Sequence, residues 1–212
     1  MQFRAIAFIL AALVVPSAAR AQTPAPVPAP VQVSLDAHTT ALLVVDLAES
    51  PCSPQPRCRE FLPRAAGLIS RARAAGVAVI FSSTIPGGLS APMRQPSFLA
   101  EVAPAAGEPI VIGTGQDRFF ATALDDILRR RGVTTLVLAG WRENGSVLYT
   151  AVGANLRSYT VVVADDATSA STDYDVAVGR YQLLTQLNAN PGNEPAKKGA
   201  VTLSRTDLIT FR

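Results

Sequence analysis

The stretch LAGWRENGSVLYTAVGANL, residues 138–156, reads as a catalytic elbow. An apolar run ends in Gly140, a short polar turn follows, and a helix-like stretch begins. Ser146 stands where such an elbow presents its nucleophile. A serine hydroxyl attacks a carbonyl at neutral pH only with a strong base beside it. No histidine or lysine lies near Ser146 in sequence, and the single histidine, His38, precedes the first strand. The acid placed to serve is Asp46, in the strand-like run ALLVVDL. Each residue also has a plain structural role open to it. The Ser146 hydroxyl suits a helix-start cap, and the Asp46 carboxylate suits anchoring a loop. Asn144-Gly145 is turn chemistry. Asn144-Gly145-Ser146 also spells a glycosylation sequon, a coincidence in a buried elbow.

Positioning these residues requires a regular frame, and the chain alternates strand and helix signals. Ala41–Leu47 is a buried parallel strand. Arg59–Ala75 is a helix with Phe61, Leu62, Ala65, Leu68, Ile69 and Ala72 on one face, closed by Gly76. Val77–Ser83 is the next strand, and 86–104 is a long aperiodic loop of the kind that covers a site. Ile110–Ile112 is a short strand. Thr122–Arg131 is a helix with acids in its first turn and arginines in its last. Val133–Ala139 and Thr160–Ala164 are strands, and Thr172–Leu187 is a helix opened by a Thr172/Asp175 capping pair. After a polar loop over 188–199, Ala200–Leu203 is a last strand. The pattern specifies an α/β fold: a doubly wound, mostly parallel sheet of about six strands with helices on both faces, a Rossmann-like three-layer sandwich. Sites in such sheets lie at the carboxyl ends of the strands. That rule selects Asp46, Gly113 and the turn Trp141–Ser146.

From about Thr40 to Ile209 the chain resembles the isochorismatase-like (cysteine hydrolase) superfamily. The resemblance rests on "ALLVVDL", "VIGTGQDRFFATAL", "GWRENGSV" and "VVVADDATSAS". It implies a Cys thiolate that attacks a carbonyl, an Asp that takes its proton, a Lys that orients and stabilises, and elbow amides that hold the oxyanion. The family Asp falls on Asp46, the Lys place on Gly113 and the Cys place on Ser146. Its non-proline cis peptide falls near Trp141–Arg142. The isochorismatase branch carries a small residue at the Cys place and uses the Asp as a general acid on a vinyl ether, which suits Ser146. Arg118 and Arg142 are candidate substitutes for the lost Lys; arginine matches carboxylates but does not shuttle protons. Gly113, Arg118, Phe119, Trp141, Arg142 and Gly145 form the implied substrate side. Phe119 and Phe120 otherwise suit the core. Trp141 suits either the pocket wall or a partner-subunit contact, and Arg142 and Glu143 read as substrate readers or as a local ion pair. The expected function is hydrolysis of a small molecule with Asp46 as general acid/base. The alternatives are a non-catalytic pseudoenzyme or binding protein that keeps the pocket, and a structural homo-oligomer. No cofactor is expected, and no metal, since no Cys/His cluster has zinc spacing.

Residues 1–21 read as a cleavable signal peptide: Arg4, the apolar run Ile6–Val15, and an Ala19-Arg20-Ala21 cleavage signal. The run is shorter than the roughly 20 residues a membrane helix needs, and no Cys near the cleavage point supports a lipid anchor. The expected location is periplasmic or secreted. Residues 22–36 read as a flexible Pro/Ala-rich spacer outside the core, followed by one domain over 37–212. The net charge is +3, and the leader removes Arg4 and Arg20. The remaining basic residues are scattered, which argues against a nucleic-acid partner. In an oxidising compartment Cys52 and Cys58 form one local disulfide, giving about 2 kcal/mol.

Overall fold

The computed structural model describes residues 26–85, 95–186 and 188–212. The expected signal peptide, the start of the spacer, residues 86–94 of the expected covering loop and Leu187 lie outside the described residues. The strands are β1 (Val33–Leu35), β2 (Thr40–Val45), β3 (Ala78–Thr84), β4 (Ile110–Gly113), β5 (Thr135–Trp141), β6 (Thr160–Ser169), β7 (Val201–Ser204) and β8 (Ile209–Phe211). The helices are α1 (Pro56–Ala74), α2 (Leu124–Arg130), α3 (Leu148–Leu156) and α4 (Asp173–Thr185).

Every residue of β2 is buried, which demands a central strand covered on both faces. The six-stranded sheet has the order β4-β3-β2-β5-β6-β7 with all pairs parallel. Leu42 and Val44 face one way, into a core with the apolar side of α1. Ala41, Leu43 and Val45 face the other way, into a core with residues of α2, α3 and α4. Each large apolar side chain so buried contributes roughly 1.5–3 kcal/mol. The chain winds outward from β2 through β3 to β4, then returns to β5 on the other side of β2. The crevice of this reversal opens at the ends of β2 and β5, and both candidate segments stand there.

Two regions differ from the sequence expectation. β6 runs on to Ser169, because it resumes after a bow: Leu138 faces Val163, but Gly140 faces Thr168. Asp165 within the bow is gripped by Arg180 at 2.6 and 2.8 Å. The spacer is not all outside the core. β1 pairs in parallel with β8, burying Val33 and Leu35. Upstream, the Val31 amide donates to the Leu203 carbonyl at 3.0 Å and Asn193 Nδ2 donates to the Ala29 carbonyl at 2.9 Å. The cause is the open backbone of edge strand β7, which this extended, proline-rich arm covers. The Asp175 amide donates to Thr172 Oγ1 at 3.1 Å, so the capping pair opens α4.

Candidate functional site

Asp46 follows β2 with a left-handed φ of 54° and is 2 % exposed. Such a φ is uncommon outside glycine, though asparagine and aspartate tolerate it best. Its Oδ1 accepts from the Thr84 amide at 3.0 Å, at the end of β3. Its Oδ2 accepts from Arg118 Nη2 at 2.5 Å. Alongside, Gly140 has a φ of +145°, and a Cβ there would stand 2.0 Å from the Val45 carbonyl oxygen. Only glycine lets β5 close on β2 at this point.

The elbow begins at the Trp141–Arg142 peptide, which is cis. An irregular turn over Glu143–Val147 leads into α3. Ser146 faces the acid: Arg118 Nη2 donates to its Oγ at 3.0 Å. The Gly145 and Val147 amides both donate to the Arg142 carbonyl, at 3.0 and 3.1 Å. Those two elbow amides are therefore committed within the turn and do not face a developing charge.

Arg118 is completely buried. Besides Asp46 and Ser146, its Nη2 donates to Thr84 Oγ1 at 2.9 Å, and its Nη1 donates to the Gly115 carbonyl at 3.0 Å. Its own amide is fixed by Thr150 Oγ1 of α3 at 3.1 Å. A Cβ on Gly113 would lie 3.1 Å from Arg118 Nη1, so the missing side chain leaves room for the guanidinium. Burial pushes the Asp46 carboxyl above the ordinary carboxylate range, while Arg118, Ser146 and the Thr84 amide pull it back.

A cleft of about 360 Å³ opens over this cluster, lined by Asp46, Gln55, Thr84, Gln116, Trp141, Arg142, Gly145 and Ser146 among others. Trp141 thus forms pocket wall. Phe119 does not: it is buried in the core, stacked on Tyr159 at 5.8 Å between ring centroids, with the Arg157 guanidinium over its ring at 4.7 Å. The loop after β4 turns Arg118 toward the acid and so sends its neighbour the other way. Phe120 is exposed. Arg142 and Glu143 do not pair. Arg142 is exposed at the cleft, whereas Glu143 is fully buried. Glu143 accepts from Thr168 Oγ1 at 3.3 Å and lies 3.8 Å from Arg180 Nε, with Oε1 lacking a hydrogen-bond partner. Burial, aided by the nearby Asp165 charge, pushes its carboxyl up to about 8. Pro51, Gln55, Thr84, Gln116 and Ser171 are the cleft residues that sequence reasoning missed; only their positions after strand ends or beside a bridged Cys would have flagged them. Among the described residues, no group of three or more His, Cys, Asp or Glu side chains could hold a metal ion.

The family model of the Isochorismatase domain matches residues 40–190. An uncharacterized isochorismatase family protein, YecD, of Escherichia coli O157:H7 is 35% identical over 158 residues, covering 65% of this chain and 84% of that protein. A maleamate amidohydrolase of Pseudomonas putida is 30% identical over 146 residues, covering 58% of this chain and 68% of its own. The solved structure of an N-carbamoylsarcosine amidase from Thermoplasma acidophilum superposes with a TM-score of 0.64 at 26% identity, covering 80% of this chain and 97% of that one.

Proposed function

Because the chain belongs to the isochorismatase family, we propose that it hydrolyses a small amide at a centre made of Asp46, Arg118 and Ser146. The observation that carries this reading is one guanidinium nitrogen touching both other groups: Arg118 Nη2 lies 2.5 Å from Asp46 Oδ2 and 3.0 Å from Ser146 Oγ. A cation thus stands between acid and hydroxyl although position 113 has no side chain to supply one. The amide class is supported by relatives named as an amidohydrolase and an amidase.

In the proposed reaction Ser146 Oγ attacks the carbonyl carbon and its proton passes to Asp46. The upward push of burial on Asp46 makes it a better base than an exposed carboxylate. Arg118, always protonated, stabilises the oxygen that loses the proton but transfers none itself. The C–N bond then breaks as Asp46 returns the proton to the departing nitrogen. Water then attacks the acyl-serine and gives its proton to Asp46, which returns it to Ser146 Oγ as the acyl–Oγ bond breaks and the acid leaves. The signal-peptide-like residues 1–21 support placing this reaction in the periplasm or outside the cell. A binding-only reading is favoured by one fact: the two terminal nitrogens of the guanidinium are held by Asp46, Ser146, Thr84 and Gly115, which would equally hold a rigid pocket.

The test is ammonia release from small primary amides by the purified protein beside Asp46→Asn and Ser146→Ala. Loss of turnover in both, with the fold retained, supports the reading. Turnover surviving Asp46→Asn removes the acid from the chemistry. Ligand binding without turnover of any amide, ester or vinyl ether establishes the pseudoenzyme.

A further inference from the structure

Resting on that reading, we infer that the Thr84 hydroxyl is the donor that receives the negative charge on the substrate oxygen when Ser146 attacks. The reaction makes such a donor necessary. As Ser146 Oγ bonds to the carbonyl carbon, an electron pair of the C=O bond moves onto the oxygen, and that charge needs a donor held ready about 3 Å away. The Gly145 and Val147 amides are engaged by the Arg142 carbonyl, the Asp46 amide by the Ser82 carbonyl, and the Thr84 amide by Asp46 Oδ1. Arg118 is completely buried. Gln55 and Gln116 reach the cleft on exposed side chains.

Thr84 Oγ1 is both fixed and available. It lines the cleft with Ser146 and accepts from Arg118 Nη2 at 2.9 Å, the same nitrogen that donates to Ser146 Oγ at 3.0 Å. The two hydroxyl oxygens therefore stand no more than about 6 Å apart. From Ser146 Oγ through the attacked carbon and its oxyanion to a donor is a span of roughly 5 Å, which leaves Thr84 within reach. Its proton has no strong acceptor of its own. Thr84 Oγ1 lies 3.4 Å from both carboxylate oxygens of Asp46, against about 2.8 Å for a good O–H···O bond. The guanidinium that donates into Oγ1 polarises the O–H and makes it a better donor. When Asp46 takes the serine proton it ceases to be an anion, and its hold on the Thr84 hydrogen weakens. The hydroxyl then turns to the oxygen that has just become charged. Thr84 itself transfers no proton. As the electron pair re-forms the C=O bond and the C–N bond breaks, Asp46 gives its proton to the departing nitrogen and the hydroxyl turns back to the carboxylate. The bond to the substrate oxygen is thus strongest at the tetrahedral stage, which speeds the reaction and does not merely tighten binding.

The experiment compares the whole protein with Thr84→Val, which keeps the shape and loses the hydroxyl, and Thr84→Ser, which keeps the hydroxyl. Hydrolysis of small primary amides is followed by ammonia release. Phenylboronic acid, which adds to a serine oxygen as a tetrahedral anion, is titrated by boron NMR. We expect Thr84→Val to lower kcat about a hundredfold with KM little changed, and to weaken the boron adduct by a similar factor. The pH midpoint of kcat/KM should stay in place, and Thr84→Ser should restore most of both losses. Thr84→Ala repeats the comparison where Thr84→Val does not fold. Undiminished kcat in Thr84→Val overturns the inference and leaves the amidase reading standing. A shifted pH midpoint with the boron adduct unweakened also overturns it, since Thr84 would then merely hold Asp46 and Arg118. A tetrahedral adduct that depends on the Thr84 hydroxyl, without turnover of any amide, upholds the inference while the amidase reading fails. A protein that neither hydrolyses an amide nor forms the adduct overturns both.

Discussion

The guanidinium of Arg118 occupies the space a side chain at Gly113 would need, with Nη1 only 3.1 Å from a Cβ placed there. The two positions therefore compete: a side chain at 113 requires the Arg118 guanidinium to give way. Restoring a lysine by Gly113→Lys should not improve the site. It should displace Arg118 from Asp46 and destabilise the fold by about 1–3 kcal/mol, as overpacking does. In Gly113→Lys/Arg118→Ala the cost should be smaller than the sum of the single changes, because each single change spoils the same contact. Denaturant melts of the four proteins measure the coupling, and strict additivity would sink the idea.

Arg118→Ala tests the buried pair from its other end. It leaves the buried Asp46 carboxylate without its cation, a loss of about 3–5 kcal/mol. The sign with pH follows from the raised Asp46 carboxyl. A carboxyl whose folded value lies above its ordinary 3.8 favours the fold at acid pH, and that contribution is lost as pH rises through the folded value. Removing Arg118 takes away a pull downward, so the loss extends to higher pH. The variant should sit nearest the unaltered protein in acid and furthest below it at neutral pH and above. A deficit that is the same at every pH would contradict this.

The frame was legible in the chain because a sheet covered on both faces writes itself as unbroken apolar runs, as at Ala41–Leu47 and Val133–Ala139. Asp46 and Ser146 were legible for the same reason, since the ends of such runs mark the site edge. Arg118 was legible only as a candidate. Its aim depends on how the loop after β4 folds back against Thr150, which no local pattern encodes. For that reason Phe119 beside it read as either pocket or core, and it lies in the core. The burial of Glu143 was hidden because polar composition in a turn reads as exposure, while α4 is brought against it by Gly179, whose missing Cβ would meet Glu143 Cγ at 3.1 Å. The docking of Val33–Leu35 was missed because Pro/Ala composition outweighed a short partner strand at the far end of the chain.

The Cys52–Cys58 bridge encloses Gln55 and adjoins Pro51, both of which line the cleft. Cys52→Ala/Cys58→Ala should therefore lower stability by about 2 kcal/mol and weaken ligand binding as well, since one wall of the cleft loses its tether. Denaturant midpoints and calorimetry read the two effects. Unchanged ligand affinity would confine the bridge to stability alone.

Removing the arm through Asp36 should expose the backbone of β7 and strip β1 from β8. With Val33 and Leu35 no longer buried, the loss is about 3 kcal/mol. An uncovered edge strand also invites pairing between chains, so light scattering should rise near room temperature. A truncated protein that melts like the full chain and stays clear would show that the arm is dispensable.

Glu143 makes the opposite prediction to a surface acid. Its carboxyl, ordinarily at 4.5, is raised to about 8, so the folded protein holds a proton that the unfolded chain releases. Stability should be highest below the ordinary value, fall by up to one proton's slope as pH rises, and level off above about 8. The full change is on the order of 5 kcal/mol for a group this deeply buried. Glu143→Gln resembles the protonated acid and offers no charge at any pH, so its melting temperature should stay nearly flat across that window and exceed that of the unaltered protein in mild alkali. Because Glu143 opens the turn that carries Ser146 and rests on Thr168, activity of the unaltered protein should fall in the same alkaline range and be retained in Glu143→Gln. Parallel pH profiles of stability for the two proteins would show that the carboxyl titrates normally, and would leave the elbow without this proton-dependent anchor.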